Sequence, residues 1–419
     1  MRDLGIRLLR FFIRRAESYT LLKPLLSLYF LREGNEAFRR WVLFLLGNLR
    51  EAHRHSKPVI YSSAFFPTEL IYALGAVPFL PEIFAAVVAY FDWSRRPIAV
   101  ATGELSSDLC SFHRSVMGLA RESFLPPPDL VISSSQICDG ANKFFSCLAH
   151  LYSVPHLLLD PPYHGEEAAR GYLISQMREV FYEASRLLGI RPDEGRLSQA
   201  LRLAVEARSF IERVNELRRA IPAPFPGSEG LSYVAGMNFY SLGSPEGVRF
   251  FRALSSHIER RVKEGKGYLT QERYRLLWLH HIRPYYPNGI FRVLEERGAA
   301  VVFEEPNYLF WPPPDPERPW ESLADKVLSN PWTGPLSRRI RMVEEMIEEY
   351  RVDGVIHFSH WGCRQSSGGA GVIGDVLKRK GTPYLILPGD GADPDNYSPG
   401  QTRTRLEAFL EMLAEVQRG

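Results

Sequence analysis

Cysteine is scarce in this sequence: 419 residues carry only Cys110, Cys138, Cys147 and Cys363. Four scattered thiols are too few for a disulfide framework in so long a chain, so a reducing cytoplasm is the expected context. Lysine is scarce too, 8 of 51 basic residues, and the net charge of only +3 offers none of the basic excess that nucleic-acid binding requires. No uncharged apolar run approaches the ~20 residues of a membrane span. The most apolar stretch, Met1 to Leu31, is broken by Arg2, Arg7, Arg10, Arg14, Arg15 and Lys23. It also lacks a small-residue cleavage signature, so an amphipathic packed helix is expected rather than a signal peptide. There is no G-x-x-x-x-G-K-[ST] phosphate loop, so this chain is not expected to be an ATPase. There is no C-x2-C pair, the usual mark of structural zinc.

What is present is the composition of a globular protein, 45% hydrophobic and 24% charged, with length for two or three domains. Residues 1–56 show helical spacing of apolar side chains. A buried strand at Lys57 to Ser63 follows, then a helix opened by Pro67 and closed by Gly75. A helical segment is expected over Glu104 to Arg121, a strand over Asp129 to Ser134, a helix from about Cys138 and a strand over Pro155 to Leu159. Residues from about 165 to 270 are expected to be helical, broken at Ile221-Pro-Ala-Pro-Phe-Pro-Gly227. A second series of strands lies at Tyr274 to Leu279, Ala300 to Phe303, Val355 to Phe358 and Tyr384 to Leu387, before an amphipathic helix over Gln401 to Val416. Strands alternating with helices imply parallel sheets. The expectation is two flavodoxin- or Rossmann-like α/β domains: a helical segment over 1–56, a first domain with a helical extension over 57–220, and a second domain over 221–419.

Two features near the C-terminus invite a ligand. The run Gly369-Ala-Gly371-Val-Ile-Gly374 matches G-x-G-x-x-G, with Asp390 after the next strand where a ribose-binding acid would sit. This allows an NAD-linked oxidoreductase. Against it, ten residues including His360, Trp361, Cys363 and Arg364 separate the strand from Gly369, where a dinucleotide site has a tight turn. In either case the glycine amides are expected to be available to a phosphate or to sulfur. The cysteines offer the other reading. Cys138 and Cys363 each follow a strand, where side chains converge outside a parallel sheet. Cys147 lies on the opposite face of the Cys138 helix, about 13 Å further along, and is expected in the core. Cys110, Cys138 and Cys363 could therefore serve a cubane cluster, a zinc ion or nothing; a cluster would keep one iron free of cysteine, as a catalytic zinc keeps an open position.

Several segments together resemble the 2-hydroxyacyl-CoA dehydratase family, which includes the related benzoyl-CoA reductase subunits. They are Pro58-Val-Ile-Tyr-Ser-Ser63, Pro67-Thr-Glu-Leu-Ile-Tyr-Ala-Leu-Gly-Ala-Val-Pro78, Leu109-Cys-Ser-Phe-His-Arg-Ser-Val-Met-Gly118, Pro128 to Ser134 with Ile137-Cys-Asp-Gly140, Asp353 to Arg364, and Gly400 to Phe409. The resemblance implies that Cys110, Cys138 and Cys363 bind a [4Fe–4S] cluster between two α/β domains. It implies an acyl-CoA substrate, a homologous second subunit (or a second copy of this chain) and an ATP-dependent iron–sulfur activator that injects one electron. The implied reaction removes water from a 2-hydroxyacyl-CoA through a ketyl radical; the benzoyl-CoA branch reduces an aromatic ring instead. A non-catalytic electron-relay subunit is a further alternative. On this reading Glu69 would be the general acid or base, and Ser62 and Ser63 would bond the thioester carbonyl. His113 and His360 would supply a proton or an N–H to sulfur. Arg364, Arg403 and Arg405, with the amides of Gly369 and Gly371, would meet CoA phosphates, while Phe112, Phe358 and Trp361 would wall the site.

Overall fold

A computed structural model describes residues 14–21, 35–163 and 167–416. Most of the apolar stretch Met1 to Leu31 therefore lies outside the described residues. The first long helix, Glu36–Arg54, starts where the Asn35 side chain accepts from the Phe38 amide at 3.1 Å.

Among the described residues, eight strands form two separate four-stranded parallel sheets. The first contains β1 (Val59–Ser62), β2 (Val77–Phe79), β3 (Leu130–Ser134) and β4 (His156–Leu159), in the order β2-β1-β3-β4. The second contains β5 (Tyr274–Leu279), β6 (Ala299–Glu304), β7 (Gly354–His360) and β8 (Tyr384–Gly389), in the order β6-β5-β7-β8. The order is thus the same in both halves of the chain. Each sheet reverses direction beside its first strand, which opens a crevice at the carboxyl ends of β1 and β3 and of β5 and β7. The α/β expectation holds for both sheets. The short strand β2 is absent from it: three residues around Pro78 are too few to signal a strand, and the ring is tolerated because β2 is an edge.

Alternation explains why each sheet is covered on both faces. Val59, Tyr61 and Val131 enter one core, while Ile60, Leu130 and Ile132 enter another on the opposite face. In the second sheet Leu276, Trp278, Ile356 and Phe358 point one way, and Leu277, Leu279 and Val355 the other. A fifth core is helical: Trp41 and Phe44 of the first helix pack with Ile211, Tyr233, Phe250 and Leu254. In chain order the proline cluster at 221–227, which has a cis Ile221–Pro222 bond, falls between β4 and β5, and its Ala223 packs in the core of the second sheet. Helix Pro319–Leu328 crosses back, however, burying Trp320, Leu323 and Val327 against the first sheet. Arg170 pairs with Asp325 at 2.6 Å on the same seam.

Three expectations need correction. The helix expected from Glu104 begins only at Ser111; residues 102–109 form a bend after helix Arg95–Ala101. The glycine run, whose amides were expected to be available to a ligand, is the interior of helix Arg364–Arg379. Cys147 does lie on helix Asp139–Tyr152, but it is exposed rather than in the core.

Candidate functional site

Each of the three cysteines singled out from the sequence is the residue immediately before a helix. Cys110 precedes Ser111–Arg121, Cys138 precedes Asp139–Tyr152, and Cys363 precedes Arg364–Arg379. Cys138 and Cys363 reach this position because β3 and β7 end just upstream, at Ser134 and His360. Helix N-termini carry partial positive charge and unpaired amides, so all three sulfurs stand where an anion is favoured. Gly362 shows how closely the two halves of the chain approach. Its φ is +79°, and a Cβ there would stand 2.7 Å from the Cys110 nitrogen. Arg364 and Asp139, the residues after Cys363 and Cys138, form an ion pair at 2.5 Å.

The three thiols line one cavity of about 760 Å³ between the domains. Burial raises the pKa of the Cys110 thiol well above its ordinary value, and repulsion from Cys138 and Cys363 adds to this. Burial pushes Cys138 up to about 12 and also raises Cys363, against the backbone amides of Ser366 and Gln365. Three such thiolates coexist only around a compensating positive centre. Among the described residues no group of three or more His, Cys, Asp and Glu is gathered tightly enough for a single metal ion. Three sulfurs lining one cavity are a donor set that fits a cluster carrying its own inorganic sulfide.

Histidines surround the sulfurs. His360 Nε2 lies 3.3 Å from Cys110 Sγ, while its Nδ1 accepts from the Gly391 amide at 3.1 Å. His280 Nε2 lies 3.4 Å from Cys363 Sγ, and its Nδ1 accepts from the Ile282 amide at 2.9 Å. His113 Nε2 meets Glu82 Oε1 at 3.2 Å, and the His113 ring stacks on Phe144. His281 stands between Phe65, Phe239 and Trp332, with centroids 5.4, 5.9 and 4.3 Å away. Burial lowers the pKa of His281 to about 4 and of His280 well below the ordinary range, so both rings are neutral.

Much of the remaining wall is aromatic, with Phe38, Trp41, Phe65, Phe112, Phe239 and Tyr240 set among aliphatic side chains such as Val42, Leu45 and Ile83 and a few polar ones, Asn35, Asn48 and Glu229. Arg283 also reaches it. Its Nη1 donates to the Ser228 carbonyl at 2.9 Å, its guanidinium rests 5.0 Å from the centre of the Phe291 ring, and burial lowers its pKa.

The structure brings together Cys110, Cys138, Cys363, His113, His360 and Phe112, and leaves other expected residues elsewhere. Ser62 and Ser63 are buried at the end of β1, where Ser63 Oγ accepts from the Ser134 amide at 3.1 Å; neither lines the cavity. Glu69 is buried off the cavity, paired with Lys326 at 2.6 Å. Trp361 is half exposed, and Phe358 is in the core of the second sheet. Arg403 and Arg405 lie on the outer face of the last helix, Pro399–Val416, where Arg403 pairs with Glu407.

The dinucleotide reading is overturned. Gly369 and Gly371 lie inside helix Arg364–Arg379, where their amides belong to the helical ladder and offer nothing to a phosphate or to sulfur. Gly369 and Gly374 instead allow close packing: a Cβ would stand 2.9 Å from Leu336 and 2.7 Å from Tyr384. Asp390 is buried under the Ser111 hydroxyl and the Ala392 and Asp393 amides, fixing a loop rather than waiting for a ribose. Glu82, His280, His281 and Arg283 were missed. His280 and His281 directly follow β5, so the rule that singled out Cys363 after β7 would have found them.

Two parallel-sheet domains closing over a thiol-lined cavity define a two-domain α/β protein with its site at the carboxyl ends of the strands. A family model, 2-hydroxyglutaryl-CoA dehydratase, D-component, matches residues 63–413, and the chain belongs to that family. It is 26% identical to a benzoyl-CoA reductase subunit of Thauera aromatica, covering 75% of this chain and 78% of that one. It is 26% identical to the (R)-phenyllactyl-CoA dehydratase alpha subunit of Clostridium sporogenes, with 87% and 91% covered. Identity to the (R)-2-hydroxyglutaryl-CoA dehydratase alpha subunit of Acidaminococcus fermentans is 25%, with 70% and 62% covered.

Proposed function

We propose that this chain is the iron–sulfur subunit of a 2-hydroxyacyl-CoA dehydratase-type enzyme, with Cys110, Cys138 and Cys363 holding a [4Fe–4S] cluster. The observation that carries the proposal is that these three cysteines, drawn from both domains and each at a helix N-terminus, line a single cavity. When bound, the cluster supplies a one-electron carrier and an iron position not taken by cysteine. One electron, delivered through an ATP-dependent activator, reduces the thioester carbonyl to a ketyl radical. The radical expels the 2-hydroxyl group as hydroxide, a β-proton is lost, and return of the electron leaves the enoyl-CoA, for a net loss of water. The aromatic wall holds the acyl group and excludes solvent. Arg283 gives the cavity a cation for an anionic part of the substrate. His281 and the His113–Glu82 pair are the titratable groups placed to move a proton, rather than Glu69, which is tied to Lys326. The relatives are each named as one subunit of a larger enzyme, which supports assembly with a homologous partner.

A second reading, reduction of an aromatic acyl-CoA, is favoured by the likeness to the benzoyl-CoA reductase chain and by the aromatic wall. Anaerobic reconstitution with iron and sulfide, then assay with partner, activator and ATP, tests both. Bound iron and sulfide with loss of water from a 2-hydroxyacyl-CoA is the expected result. Ring reduction without dehydration would select the second reading. A colourless, iron-free chain would contradict the proposal.

A further inference from the structure

His280 has no counterpart among the sequence expectations, yet its geometry repeats that of His360. Each ring belongs to the carboxyl end of a strand of the second sheet, β5 for His280 and β7 for His360. Each accepts a backbone N–H at Nδ1, from Ile282 at 2.9 Å and from Gly391 at 3.1 Å. A neutral imidazole that accepts at Nδ1 carries its proton on Nε2. Both Nε2–H groups are directed at sulfur, Cys363 at 3.4 Å and Cys110 at 3.3 Å. Both rings are almost wholly buried, His280 at 1% exposure and His360 at 1%, so water does not compete for these bonds.

The protein holds His280 in a conformation that a side chain seldom adopts. Its φ is +108°, far from the ordinary regions for a residue other than glycine. The strained backbone is fixed from behind: the His280 amide donates to Glu305 Oε2 at 2.8 Å. Glu305 is held in turn by two nitrogens of the buried Arg339 guanidinium, at 2.6 and 2.8 Å. Arg339 lies 3.7 Å from the centre of the Trp332 ring, which lines the cavity. A chain of buried contacts thus runs from helix Leu336–Tyr350, which carries Arg339, to the Cys363 sulfur.

We infer that His280 and His360 are positioning residues that donate paired Nε2–H bonds to Cys363 and Cys110 and so raise the reduction potential of the centre these cysteines hold. The inference rests on the cluster reading above. A donor to a thiolate withdraws electron density from it and stabilises the more negative, reduced state, one of the ways in which a protein sets the potential of an iron–sulfur centre. The Glu305–Arg339 pair acts one step further out, holding the His280 ring in place.

The test uses anaerobically reconstituted full-length chain, with iron and sulfide content measured first and the midpoint potential then read by EPR-monitored redox titration. His280→Phe and His360→Phe should keep iron and sulfide but shift the midpoint to more negative values, each by itself, with the double variant shifted further. His280→Gln, which retains an N–H donor, should recover part of the shift. Hyperfine spectroscopy on the reduced wild-type protein with 15N-labelled histidine needs no variant and should show two exchangeable imidazole protons coupled to the centre. Iron-replete variants with an unchanged potential, or a wild-type centre without such couplings, would overturn the inference. A wild-type chain that binds no iron would instead defeat the cluster reading on which it rests.

Discussion

Gly362 is the residue on which the meeting of the two domains depends most directly. Its φ of +79° suits glycine, and a Cβ would stand 2.7 Å from the Cys110 nitrogen and 2.8 Å from its Cα. Gly362→Ala therefore has to strain its own backbone or push Cys110 away from Cys363. We expect a loss of about 1–3 kcal/mol in stability and lower iron occupancy after reconstitution, with secondary structure unchanged by circular dichroism. Wild-type occupancy in the alanine variant would show that the approach of the two chain segments does not set the site. Single residues also show where the sequence misleads. Gly369 and Gly371 fit a phosphate-binding pattern by spacing alone, but that pattern has meaning only directly off a strand, and here a helix has already begun at Arg364. Cys147 is exposed because helix Asp139–Tyr152 turns Phe144, Phe145 and Leu148 inward, which leaves the cysteine on the outer face.

At the scale of elements, helix Ser111–Arg121 positions Cys110, and its packing on helix Arg95–Ala101 is tight. A Cβ at Gly118 would stand 1.9 Å from the Pro97 carbonyl oxygen. Gly118→Ala is expected to destabilise the protein by about 1–3 kcal/mol or more, read as a lower denaturant midpoint. A change under about 0.5 kcal/mol would mean the two helices separate freely. Seven of the eight strands among the described residues were legible because continuous apolar runs such as Ala300 to Phe303 and Leu276 to Leu279 have the signature of buried parallel strands. The start of helix Ser111–Arg121 was not, because helical spacing runs on through the bend before it; a boundary set by tertiary packing leaves little trace in periodicity. The cysteines were legible as ligand candidates from their places after strands. The positions of Glu69 and the two serines were not, because the pairing of Glu69 with Lys326 joins residues far apart in sequence. The crossing of helix Pro319–Leu328 onto the first sheet is hidden for the same reason.

For the whole molecule, two sheets of identical strand order each send residues from beyond their strand ends to one cavity, Cys138 from the first and His280, His281 and Cys363 from the second, and the second sheet carries several buried imidazoles. Burial lowers the pKa of His281 to about 4 and of His357 to about 3. His357 is held by Tyr384 at 2.6 Å and Ser366 at 2.8 Å, tying β7 to β8 and to helix Arg364–Arg379. In the unfolded chain each histidine titrates near about pH 6.5. Between that value and the folded pKa, the unfolded state binds more protons, so stability rises with pH across the window and falls on acidification. The melting temperature of the apoprotein should therefore drop between about pH 7 and about pH 5, and less so in His357→Gln where the variant folds. A flat or rising melting temperature on acidification would contradict the burial of these rings as neutral groups.

On the proposed function, Cys110, Cys138 and Cys363 jointly hold one iron–sulfur centre. Iron and sulfide per chain, measured after anaerobic reconstitution of the four single Cys→Ser variants, tests it most directly. Cys110→Ser, Cys138→Ser and Cys363→Ser should each lose most of the bound iron and sulfide, while Cys147→Ser, on an exposed helix face, should retain wild-type content. Iron binding that survives loss of any one of the three, or that requires Cys147, would contradict it.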